Sequence, residues 1–129
     1  MKITPVHESI LLVGLSDYIH MGDFPFRVLG RGYKSDKPLP EGVREQSIHV
    51  IRDLLEAGLI EAGMPAYRDI DFAKWNFPVE EIVNRIETEW DQLGHEPLVG
   101  DIVWFRLTPL GEKVAREIEL REQGSDTEE

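Results

Sequence analysis

With 129 residues, 41% of them hydrophobic and 30% charged, the chain has the make-up of one soluble globular domain with a sizeable core. It contains no cysteine, which excludes disulfides, thiolate metal sites and cysteine nucleophiles. Twenty-five acidic against 14 basic residues leave a net charge of −11, a balance that repels phosphate backbones and suits basic protein partners.

In chain order, Pro5 near a start and Ile10, Leu11, Leu15 and Ile19 on overlapping turns predict a first helix within residues 5–20. The longest apolar run there, Ile10 to Leu15, is too short to cross a bilayer and lacks a secretory cleavage pattern, so the expected location is cytoplasmic, away from membranes. Residues 21–40 hold three glycines and three prolines and read mostly as loop, with room for one short helix or strand. The same region carries Arg27, Arg31, Lys34 and Lys37 against Asp36, a local charge of +3.

The central feature is Ser47 to Glu61. Val43, Val50, Ile51, Leu54 and Leu55 recur at helical spacing, which predicts a helix from about Glu41 to a stop at Gly58, with Leu59 and Ile60 opening a strand. After Gly63-Met64-Pro65 comes an aromatic run, Tyr67, Phe72, Trp75 and Phe77, expected to fold back on the core. Val79, Ile82, Val83, Ile86, Trp90 and Leu93 then trace one stripe of a helix from Pro78 to Gly94. Residues 102–107 are β-branched and aromatic enough for a strand, and Thr108-Pro109 caps a last helix with Leu110, Val114, Ala115 and Ile118 inward. The domain is expected to span 1–122, with 123–129 a fraying polar tail.

Two pieces, SIHVIRDLLEAGLIE and WFRLTPLGEKVAREI, resemble the halves of a winged-helix domain: recognition helix plus second strand, then third strand plus closing helix. The Leu107-Thr108-x-x-Gly111 turn is similar to that of MarR-like and PadR-like regulators. The resemblance implies an α+β winged helix-turn-helix-like fold, here with a helical insertion at about 64–100 between the last two strands where those regulators have a short basic wing. The texture of residues 75–90 also resembles small bacterial proteins of no assigned activity.

The resemblance implies a recognition helix whose outward face reads DNA with basic and amide side chains. At about 100° per residue, that face is Glu45, His49, Arg52, Asp53 and Glu56, with a formal sum of −2. Acid there disfavours a duplex. The Pro78 helix is acidic too. Glu81, Arg85 and Glu89 stand four apart and can pair, whereas Glu80, Glu87 and Asp91 have no lysine or arginine at helical spacing. That second set reads as a contact surface for a basic protein.

The expected function is therefore a non-catalytic protein-binding module, for instance an immunity-type protein that neutralises a basic toxin. The alternative is a DNA-binding transcriptional regulator, a homodimer paired through its first and last helices, with Arg27, Arg31, Lys34 and Lys37 on the phosphates. Those four cations can otherwise pair with the chain's own surplus carboxylates. No catalytic, cofactor or metal site is expected. His7, His20, His49 and His95 lack metal-binding spacing and read as surface or partly buried histidines; Asp69-x-Asp71 and Glu80-Glu81 are carboxylate pairs common in so acidic a chain. Gly30-Arg31-Gly32 lacks the spacing of a phosphate loop.

Overall fold

In the computed structural model, which describes residues 2–65 and 72–127 and side chains as far as 123, nine elements follow one another. They are α1 (Pro5–Gly14), β1 (Ile19–His20), α2 (Asp23–Leu29), α3 (Val43–Glu56), β2 (Ile60–Pro65), β3 (Phe72–Lys74), α4 (Val79–Leu93), β4 (Trp104–Leu107) and α5 (Pro109–Thr127). The fold is α+β, with an antiparallel sheet in the order β1-β4-β2-β3.

Local chemistry explains the boundaries. Thr4 caps α1 through a reciprocal pair: its side chain accepts the His7 amide, while the His7 ring accepts the Thr4 amide at 3.0 Å. The predicted first helix ends early, and Ile19 does not continue it. Instead Ile19 and His20 pair with Phe105 and Trp104, because the open flank of β4 offers the backbone a ladder. In α3 all five periodic apolar residues are buried, and the helix closes where Gly58 takes φ +71. Gly94 closes α4 in the same way, at φ +80.

β4 is the hinge of the architecture. It lies between β1 and β2, with Ile60 opposite Leu107 and Gly63 opposite Trp104. Phe105 on this strand is fully buried and meets Phe24 of α2 edge to face at 5.3 Å. Around this pair the core gathers Ile10 and Leu11 of α1, Ile51 and Leu54 of α3, Ile82, Val83 and Ile86 of α4, and Ala115 and Ile118 of α5. α1 packs along α5, and α3 lies between α2 and α4.

Several expectations are corrected. The stretch 64–100 holds a strand as well as a helix, because Phe72 to Lys74 pairs with Gly63 to Pro65. Phe72 is buried and Trp75 half-buried, but Phe77 stays 44% exposed, since the core is already closed beneath α4. Leu110 lies on the solvent side of α5, and that helix continues to Thr127 through the segment expected to fray. Tyr67, Asp69 and Asp71 lie outside the described residues. Among the described residues no helix is long and apolar enough to cross a membrane.

Candidate functional site

The outward face of α3 is acidic, as its spacing predicts. Glu45, Gln46, His49 and Glu56 face solvent, and Arg52 and Asp53 are half-buried beside them. Asp53 is engaged from two sides, by the His7 Nε2 at 3.0 Å and the His49 Nε2 at 3.5 Å. Because the His7 Nδ1 accepts the Thr4 amide, its proton sits on Nε2 and is donated to Asp53. His7 is thus no surface histidine: it is 3% exposed and bolts the start of α1 to α3. The signal for it is Thr4-x-x-His7, capping-box spacing with an imidazole in the usual carboxylate's place.

Of the stripe Glu80, Glu87 and Asp91, the first and last are paired, and only the Glu87 carboxylate is without an ion pair among the described residues. Arg52 of α3 donates to the Glu80 carboxylate, and Arg44 of α3 donates to Asp91 at 2.9 Å and to the Glu87 carbonyl at 3.3 Å. The Arg44 guanidinium also lies 5.6 Å from the centre of the Trp90 ring. The cations that pair with Glu80 and Asp91 sit on another helix, out of reach of any spacing rule within α4. Exposed pairs of this kind contribute about 0–1 kcal/mol each, so their main effect is on charge: Arg52 is withdrawn from the α3 face. Glu56 and the Glu87 carboxylate have no ion-pair partner among the described residues. Arg85 takes Glu89, at 3.0 Å, and covers the Trp75 ring at 4.2 Å.

The basic residues before α3 also depart from expectation. Arg31, Lys34 and Lys37 are exposed and Arg27 is half-buried, yet none of the four forms an ion pair among the described residues. Their loop is held by other means. The Tyr33 hydroxyl donates to the Pro97 carbonyl, Glu96 N–H donates to the Ser35 carbonyl at 3.0 Å, and the Glu96 carboxylate accepts Leu39 N–H and the Trp90 indole. The cations do not join into one groove. Lys37 borders a hollow that also contains Glu41, Glu45, Asp91 and Glu96, whereas Arg27 borders a different one. Among the described residues no three histidine or carboxylate side chains converge to hold a metal ion.

Tyr33 records the local field. Burial, then the carboxylates of Glu96, Asp23 and Asp101, push its pKa up to about 12. A raised folded-state value favours the protonated phenol, so the associated stability is complete below pH 10 and is lost between pH 10 and about 12. Alkaline titration followed by ultraviolet absorbance is expected to show a tyrosinate forming only near pH 12, and Tyr33→Phe to remove it.

Compared with family models, with curated proteins and with solved structures, the chain matches none.

Proposed function

We propose that the chain is a winged-helix-type module that binds a basic protein and catalyses nothing, in the manner of an immunity protein that neutralises a toxin. The element order supports the fold reading: the strand expected as the third of a winged helix is β4, seated between β1 and β2 and leading into the closing helix. Two departures accompany it. Residues 30–42 separate α2 from α3 where a helix-turn-helix has a tight turn, and β3 with α4 stands where a wing hairpin would be.

The observation that carries the partner reading is the outward face of α3. Glu45, Asp53 and Glu56 dominate it, and its one arginine is held by Glu80. Placed against a duplex, this helix would bring carboxylates to phosphates with no counterion release to drive binding. Towards a basic protein the same charges accelerate encounter.

The expected result is that tagged wild-type protein captures a basic polypeptide from its own cell extract after nuclease digestion. Association of that purified polypeptide should be about tenfold slower or more with Glu45→Lys/Glu56→Lys, variants of exposed side chains that leave the core intact. Retention of duplex DNA at physiological salt, unaffected by the two lysines, would replace this reading by the regulator. The observation favouring that second reading is the set Arg27, Arg31, Lys34 and Lys37, with which no carboxylate among the described residues forms an ion pair.

A further inference from the structure

α2 places Asp23 and Arg27 one turn apart on the same side of the helix, the spacing at which an aspartate and an arginine ordinarily pair. Here they do not. Both border an open hollow of about 640 Å³ that Leu98 and Val99 also line. The Arg27 side chain makes no hydrogen bond and no ion pair among the described residues; its Nε is buried without an acceptor, and its guanidinium lies over the Phe26 ring, at 5.3 Å. Asp23 is partly used: one oxygen accepts the His20 amide at 3.0 Å and the other stands 3.6 Å from the His20 Nε2. An unneutralised arginine in a chain of net charge −11 calls for an anion. The carboxylates of Asp23, Glu96 and Asp101 around Tyr33 hold the floor negative, which disfavours a multiply charged phosphate and favours a ligand carrying its own cation.

The walls set the rest of the ligand. Phe26, Leu98 and Val99 are 40%, 43% and 64% exposed at the rim, apolar surface open to a ligand. The volume lies in the range of small-molecule sites. Just beyond the far wall, Ile102 has φ +66, a conformation that β-branched residues rarely adopt.

We propose that this hollow binds a free α-amino acid with an apolar side chain. Its carboxylate meets the Arg27 guanidinium, its ammonium meets Asp23, and its side chain lies among Phe26, Leu98 and Val99. The inference is independent of the acidic face of α3 and of any partner bound there.

The test is calorimetric titration of the full chain with L-leucine and L-phenylalanine, and with glycine, 3-phenylpropanoate and 2-phenylethylamine, which lack the side chain, the ammonium and the carboxylate in turn. The apolar amino acids are expected to bind, and each truncated probe to bind about tenfold more weakly or worse. Arg27→Gln and Asp23→Asn are expected to weaken L-phenylalanine by a similar factor; the asparagine keeps an acceptor for the His20 amide. Val99→Ser, at a side chain too exposed to unfold the protein, is expected to weaken it less. No heat with either amino acid at millimolar concentration, or equal affinity for L-phenylalanine and 3-phenylpropanoate, or full affinity in Arg27→Gln, would each overturn the proposal.

Discussion

Replacing Gly111 by alanine is expected to lower stability by about 3 kcal/mol or more. A Cβ at that position would stand 1.8 Å from the Leu59 carbonyl oxygen and 2.8 Å from its carbon, inside any contact that real atoms make. The obstruction cannot yield. Thr108 N–H donates to the same Leu59 oxygen at 3.1 Å, and the Thr108 hydroxyl donates to the Gly58 carbonyl while accepting the Gly111 amide at 3.0 Å. The helix α5 therefore starts on the backbone that ends α3, and the glycine is the contact. Urea unfolding should show a lower midpoint with an unchanged slope; an unchanged midpoint would mean that α5 is not seated there.

Phe105→Ala is expected to cost about 4 kcal/mol. The ring is fully buried on the central strand, flanked through the sheet by Ile19 and Ala62 and touched edge-on by Phe24. Its removal opens a cavity whose walls belong to the sheet and to helices packed from different directions, so no one element can move in to fill it. Phe105→Leu, which keeps most of the volume, should cost less than half as much. A loss under about 1 kcal/mol for the alanine variant would show that the core collapses around the gap.

What could be read from the chain is what repeats within one element. The stripes of α3 and α4 and their glycine stops are properties of neighbours in sequence, and Val50, Ile51, Leu54, Ile82, Val83 and Ile86 lie buried where the period puts them. The acidic outer face of α3 was legible for the same reason. What depended on a second element was not. Glu80 and Asp91 look unpaired along α4 because their arginines stand on α3, and Ile19 looks helical until β4 is present to pair with it. His7 resembles a stray surface histidine because the residue that fixes it, Asp53, is 46 positions away. The four cations before α3 failed in the opposite direction: a surplus of acid suggested partners, but the loop is anchored by Tyr33 and Glu96, which leave Arg31, Lys34 and Lys37 outside, and Arg27 sits half-buried on α2 without an ion pair among the described residues.

The sheet has one more consequence. Among the described residues its outer members, β1 and β3, are two and three residues long. A neighbouring polypeptide seeking to extend the ladder would find, among the described residues, only a few unsatisfied amides and carbonyls on either flank, a poor start for cross-chain pairing. Crowded solutions of this protein are accordingly expected to resist fibril growth, with the acidic shell keeping copies apart and the brevity of those flanks denying them a template.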